Sequence, residues 1–437
     1  MKAKRIISIA LCAVLAGSLL SGCGAAKKKD ITLVLKAPTL SFAENALGTD
    51  IQSANDFLQA AGDAFAEQYT DANVTVKVIE YENTEETAYV DDCFDTEDAV
   101  DVLYNDFFTM EAHVHTGKVV PLDDIISDDL RADIADTFWN QGQIDGKTYM
   151  MPYLYRQNVM IYSNEWFRKA GLDQYVTDGT TVETWTMDEW EEILAALREV
   201  MPDTSYPMMM YALNNQGDTH ITCLLRSQGS DIFDENMRFD LETEEGIAGL
   251  QWIKDCIDKG YMPENAADME ALTCYDMFLS GQMAIYFCNA ASEPNFTDYG
   301  LVNFPTVNGG CNTNFLTGFE VYDNGDADKL VVAKAFVKYV YESEYIDYET
   351  ETMPCNTSVA EKYADFLEPY QKYIDNADKG VNFTGGNPNW LGVRSVFYLH
   401  MQDLVRGDKT PEEVARELDE DANAAIEEGY TNSSLHE

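Results

Sequence analysis

Ile31-Thr32-Leu33-Val34-Leu35, Val74-Thr75-Val76-Lys77-Val78-Ile79 and Val100-Asp101-Val102-Leu103-Tyr104 decide the fold class. The first stretch is almost wholly apolar and reads as a buried strand. The second alternates at period two, and the third reads as another strand. A polar loop and a helical stretch from Asn55 to Tyr69 separate the first two. Strands alternating with helices make βαβ units, and such units predict a mostly parallel sheet in an α/β fold. The segment lacks a Gly-rich phosphate fingerprint, so nucleotide binding has no support.

Further along, the chain is more helical. Thr186-Met187-Asp188-Glu189 forms a capping box, with Glu three residues after Thr. Trp190, Ile193, Leu194 and Leu197 then share one helical face, which makes Trp190 a core residue. Val332, Phe336, Val337 and Val340 mark another amphipathic helix. Thr410-Pro411-Glu412-Glu413 combines a cap, Pro at the first helical position and Glu at the third; Val414 and Leu418 continue that helix.

The first residues are of another kind. Lys2, Lys4 and Arg5 precede an apolar run from Ile6 to Leu20, and Leu20-Ser21-Gly22-Cys23 ends it. This is the layout of a secretory signal, too short and wrongly flanked for an ordinary span. Leu-Ser-Gly-Cys resembles a bacterial lipobox, which implies cleavage before Cys23 and lipid on Cys23. The bland alternative is an ordinary secretory signal with an accidental cysteine. After residue 23 no apolar run approaches the ~18 residues that span a bilayer. Membrane contact is thus expected through the lipid alone, with Lys27, Lys28 and Lys29 as a tether suited to acidic headgroups.

The formal charge of −48 over 437 residues argues against nucleic acid, whose binding needs Lys and Arg on phosphates. A solvated, self-repelling surface is the plain reading of that acidity. Setting aside Cys12 and Cys23, the cysteines are Cys93, Cys223, Cys256, Cys274, Cys288, Cys311 and Cys355. They show no C-x-x-C spacing and read mainly as small buried hydrophobes, leaving room for one disulfide. No metal spacing stands out, and no cofactor is expected.

A string of short motifs carries a resemblance over nearly the whole chain. Asp101-Val102-Leu103-Tyr104-Asn105-Asp106, then Gly117-Lys118-Val119-Val120-Pro121-Leu122, resemble a strand, a site loop and a turn. Asp145-Gly146-Lys147-Thr148-Tyr149-Met150-Met151-Pro152-Tyr153 resembles a crossing between lobes. Lys169-Ala170-Gly171-Leu172, Thr184-Trp185, Phe278-Leu279-Ser280-Gly281 and Trp390-Leu391-Gly392-Val393-Arg394 follow in order. Together they resemble the family 1 extracellular solute-binding proteins, lipoprotein receptors of ABC importers that include the maltose-binding proteins.

The resemblance implies a periplasmic-binding-protein fold, type II-like: two α/β lobes joined by a hinge, with a ligand cleft between them. Residues 1–22 would be the signal and 23–29 the lipidated tether. Residues 30–155 with 321–356 would form the N-terminal lobe, and 156–320 with 357–437 the C-terminal lobe, with crossings near 155, 320 and 356. It also implies a monomeric receptor, lipid-anchored outside the bacterial cell membrane, that passes a mono- or oligosaccharide to permease subunits. A surface lectin or adhesin and a cell-surface glycosidase are the alternatives. With 77 acidic residues, carboxylate pairs arise by chance and do not favour the enzyme.

Sugar recognition joins aromatic faces, for the apolar surfaces of the ring, with planar polar groups for its hydroxyls. Trp390 matches the tryptophan that stacks on sugar in the maltose-binding relatives. Arg394, four residues on, faces the ligand or holds Trp390. Arg156 stands where some relatives carry a ligand-binding carboxylate, and is expected to bind hydroxyls or an acidic sugar, or to pair with a carboxylate. Tyr153 and Tyr155 flank it, so at least one is expected to face the cleft. Asn105 and Asp106 end a strand at the first-lobe site loop. The polar loop from Asn214 to His220 offers Asp218 and His220, the latter otherwise an ordinary surface residue. After Phe278–Ile285 relatives often show an aromatic; this chain reads Cys288-Asn289-Ala290-Ala291. Asn289 is the candidate there, and a maltose-like ligand is put in doubt.

Overall fold

The apolar strand at the start is central and the alternating one is peripheral. Strand β1 (Lys29–Pro38) is buried over most of its length and pairs in parallel with β2 (Ala72–Tyr81), Ile31 opposite Val74. A strand apolar on both faces belongs inside a sheet, whereas β2 alternates because one face meets water. β1 also pairs in parallel with β3 (Val102–Asp106). Helix α1 (Ala54–Gln68) connects β1 to β2 and buries Phe57, Leu58, Ala61 and Phe65. Its cap is Ser53, whose hydroxyl accepts the Asp56 N–H at 3.1 Å. It lies so close to β2 that a Cβ on Gly62 would sit 2.7 Å from Val76.

This is a computed structural model. It describes residues 28–42, 45–81, 90 and 93–435, apart from the side chains of 215, 288, 289, 291, 292 and 294. Cys23 and the segment around it lie outside the described residues, as does the side chain of Asn289.

The later strands are β4 (Gln143–Ile144), β5 (Lys147–Thr148), β6 (Met150–Ser163), β7 (Val182–Glu183), β8 (Ile285–Asn289), β9 (Tyr299–Val302), β10 (Thr313–Val321) and β11 (Met353–Pro354). The main sheet runs β2-β1-β3-β10-β6-β9-β7, with β8 and β11 also on β6. The expectation of a mostly parallel sheet needs correction. Parallel pairs occupy the two ends, β2-β1-β3 and β7-β9, while β10, β8, β9 and β11 all meet β6 antiparallel. Two long strands that run in opposite directions through the middle force this, and local βαβ patterning does not reveal them.

β6 joins the two halves. Its start, Met150–Leu154, pairs with the part of β10 that also pairs with β3. Its end, Asn158–Ser163, pairs with β8 and β9. Between them, Tyr155, Arg156 and Gln157 pair with Leu316, Phe315 and Asn314 of β10. β11 adds Met353 opposite Tyr155.

The longer helices complete the layers: α2 (Met187–Val200), α3 (Asp218–Leu225), α4 (Glu244–Asp258), α5 (Ala327–Glu342), α6 (Trp390–Arg406) and α7 (Pro411–Thr431). The capping boxes at Thr186 and Thr410 form as read, the second with Pro411 in the first turn. Trp190 is wholly buried, its ring 4.4 Å from that of Trp252. The first half buries a cluster of Phe57, Tyr104, Tyr153, Phe319 and Tyr341. Cys223, Cys256, Cys274, Cys311 and Cys355 are buried free thiols, and Cys93 is a half-buried one. Among the described residues no helix is long and apolar enough to cross a membrane.

Candidate functional site

Arg156 sits on the stretch of β6 that changes partners, and a small cavity opens beside it. Its volume is about 220 Å³. Ser41 and Phe42, from the loop after β1, line it on the first half, and Ala290, just past β8, on the second. Arg156, Glu351, Thr352 and Met353 form its floor and Tyr370 another wall. Arg156 Nη2 lies 3.0 Å from Glu351 Oε2. Glu351 is almost completely buried, whereas Arg156 keeps about a quarter of its side chain exposed. The pair therefore presents a guanidinium edge whose charge is already answered. Phe42 and Tyr370 are half-buried and add aromatic surface.

A second group meets beyond the end of β3. Asp106 accepts the Phe108 N–H at 3.1 Å. Burial pushes its carboxyl up to about 6, although that hydrogen bond and the charges of Arg394 and Arg156 pull it down. Phe107 and Phe108 stack on each other and reach across to Phe383, 5.5 Å from both rings. The Arg394 guanidinium lies 5.2 Å from the centre of the Phe108 ring. Arg394 Nε is 2.7 Å from Asp218 Oδ2, and Asp218 is nearly fully buried. Burial raises the Asp218 carboxyl, while Arg394 and the Trp390 indole N–H pull it back. Two helix starts, of α3 and α6, are thus tied together beneath a ring from the opposite half.

The sequence-predicted residues divide into three sets. Arg156 lines the small cavity, and Asp106, Arg394 and Asp218 gather beside the Phe108 ring. Trp390, expected to stack on sugar, is instead a core residue: it is 2% exposed and meets Phe383 edge-on at 6.2 Å, behind Arg394. Asn105 is buried and donates to Thr109 Oγ1 at 3.2 Å.

The rest depart from the expectation. Tyr153 and Tyr155 are both buried. Tyr153 donates to the Tyr345 carbonyl, and Tyr155 packs 4.4 Å from Phe138. The alternation argument fails because this part of β6 is covered on both faces. Residues 218–220 are not loop but the first turn of α3, and His220 is no surface residue. It is sandwiched between Tyr211 and Phe287, at 4.0 and 4.4 Å, and its Nε2 accepts the Tyr211 N–H. Burial holds it well below the usual histidine range, so it is neutral.

Glu351, Tyr370, Phe42 and Phe108 escaped the sequence reading. Phe42 alone had a signal, as it follows the carboxyl end of a parallel strand, where α/β sheets bind ligands. A larger cavity of about 650 Å³ also lies between the halves, bordered by Phe107, Glu111 and Asp145 on one side and Asn382 and Tyr430 on the other. None of the sequence-predicted residues lines it, whereas Arg156 lines the smaller cavity beside the crossing strands.

This geometry, a cavity over strands that pass between two α/β halves, agrees with the comparisons to known proteins. Residues 48–346 match the model of the bacterial extracellular solute-binding proteins. The chain belongs to that family. A Brucella abortus binding protein is 19% identical over 333 residues, 72% of this chain and 76% of its own length. The cyclic alpha-maltosyl-1,6-maltose binding protein of Arthrobacter globiformis superposes with a TM-score of 0.71 at 18% identity, covering 92% of this chain and 100% of that one. The sugar-binding protein MalE of Xanthomonas citri also reaches 0.71, at 14% identity over 91% of this chain and 98% of its own. At these identities the likeness shows the periplasmic-binding-protein fold. As a solute-binding protein, the chain is a member of a binding family rather than an enzyme family.

Proposed function

We propose that this solute-binding protein is the receptor of an ABC importer, takes a neutral mono- or oligosaccharide in the hinge cavity, and is held outside the cell by lipid on Cys23. The Arg156–Glu351 pair flanked by Phe42 and Tyr370 carries this reading. The exposed edge of the guanidinium, held in place by the buried carboxylate, offers fixed donors to neighbouring hydroxyls. The two aromatic walls suit the apolar faces of a ring. Because Glu351 already balances Arg156, the cavity offers no surplus positive charge to an acidic sugar. Leaving this polar floor unpaired costs about 1–3 kcal/mol per group, so solutes without hydroxyls are rejected.

The lobes are 30–155 with 321–356 and 156–320 with 357–437, turning about the strands near 155, 320 and 356. Asp106 and Arg394, the latter held by Asp218 and backed by Trp390, supply further polar contacts to the solute from the group beside the Phe108 ring. Closure is a hinge motion, and only a solute with better contacts in the closed form shifts the balance toward it.

A thermal-shift panel of neutral sugars, uronic acids and amino sugars tests the assignment. A solute at 100 times its Kd adds about 2.7 kcal/mol of stability. Neutral sugars are expected to raise the transition, with the effect weakened in Arg156→Ala. A response confined to uronic acids, or one that Arg156→Ala leaves intact, refutes it.

A further inference from the structure

The last turn of α7 and the residues that follow it leave the second half and reach the first. Ser434 N–H donates to the His115 carbonyl at 2.7 Å. Ser433 Oγ lies 2.6 Å from His115 Nδ1. The Tyr430 ring meets the His115 ring edge-on at 5.3 Å. His115 ends the short helix Met110–His115 that follows β3, so all three contacts cross between the halves. The seat is tight: a Cβ on Gly117 would stand 2.8 Å from the Ser434 carbonyl oxygen, and Gly117 has a φ of 76° that suits glycine. Tyr430, Ser433 and Leu435 also border the 650 Å³ interlobe cavity.

We infer that residues 430–435 form a strap that latches the second lobe onto the helix 110–115 and biases the protein toward its closed arrangement. In a hinged protein, any contact made only when the lobes meet adds to the closed state, whether or not a solute supplies it. Hydrogen bonds of ordinary net strength, two of them here, change a closed-to-open ratio by about tenfold. The solute need then supply less of the closing free energy, and its apparent affinity scales with the fraction of molecules already closed. The strap holds whichever solute the cleft takes.

Two variants of the full chain test this by small-angle X-ray scattering in sugar-free buffer. Ser434→Pro removes the donating N–H from an exposed position, and His115→Ala removes the ring that Ser433 and Tyr430 contact. Both are expected to show a larger radius of gyration than the parent. Ser434→Pro should do so while still unfolding in a single cooperative transition, which separates opening from unfolding should His115→Ala fold poorly. Scattering from Ser434→Pro that superimposes on the parent overturns the strap. So does a parent whose own curve fits only a separated-lobe shape.

Discussion

Replacing Asp218 by Asn keeps the shape of the side chain and removes its charge. The Arg394 guanidinium then loses the partner 2.7 Å from its Nε, in a place where only 17% of its own side chain is exposed. Removing one member of a buried pair costs about 3–5 kcal/mol, because the other charge is left in a medium that solvates it poorly. Arg394 keeps some water and the face of Phe108, so a loss of about 2–3 kcal/mol is expected here. The double variant Asp218→Asn, Arg394→Met removes both charges. It should recover most of that loss, with a coupling of about 2 kcal/mol. Urea unfolding followed by tryptophan fluorescence measures this, provided the slope against denaturant stays constant across the cycle. Single variants whose effects simply add would refute the claim that the pair acts as a unit. An Asp218→Asn midpoint within error of the parent would refute the claim that the carboxylate is the counter-charge.

Three further outcomes are expected. Asp106 titrates near 6 when folded, above the ordinary value of about 3.9. Its ionisation therefore opposes folding above pH 6, and this cost disappears as the pH falls from 6 toward 4; Asp106→Asn should flatten that part of the melting-temperature profile, and an unchanged profile would assign the slope elsewhere. Trp390→Ala should cost about 3–5 kcal/mol by denaturant titration, as for other large buried aromatics; loss of sugar affinity with full stability would instead mark it as an exposed stacking platform. Asn376 donates to Gln157 Oε1 and Asn303 Oδ1 at 3.0 and 2.8 Å; Asn376→Ala should lose about 2–4 kcal/mol, since it strands buried amides, and a loss below 0.5 kcal/mol would show that water replaces it.

How far the fold was legible depended on sequence separation. β1, α1 and β2 follow from patterning because each element meets its neighbour in the chain. β10 meets β6 with Phe315 opposite Arg156, 159 positions away, and nothing local marks that partnership. The same distance hid the floor of the cavity. Arg156 stood out as a cation in an acidic chain, but Glu351 is one acid among 77 and gave no sign that it would pair with it. The two capping boxes, at Thr186 and Thr410, were legible to the residue, since such a cap is a local chemistry of four consecutive residues. Asp218 and His220 were misread for the opposite reason. α3 starts after Gly217 with no side-chain cap, so its polar first turn has the composition of a loop.

The polar residues of the crossing strands explain why the site belongs at the hinge. Gln157 of β6 donates to Asn314 of β10 at 2.9 Å, and Asn314, Asn312 and Gln157 all reach the segment 373–377. Asn303 joins through Asn376 and Asn312. Such a network is costly to bury unless its members are paired; here the amides bond to one another and to the backbone, with Asn312 Oδ1 left without a partner, and the bonds made fix one arrangement of the strands that carry them. Rotation of one lobe against the other must then be taken up in the strand residues on either side of this knot. Arg156 lies next to the knot, and Glu351 precedes β11, which is itself paired to β6. The floor of the cavity therefore keeps its geometry while its walls, Phe42 from one half and Ala290 from the other, approach or part. A solute that bound only this floor would be held equally in both arrangements and would transmit nothing. One that also touches the walls draws them together, so recognition at the walls is what a permease can sense.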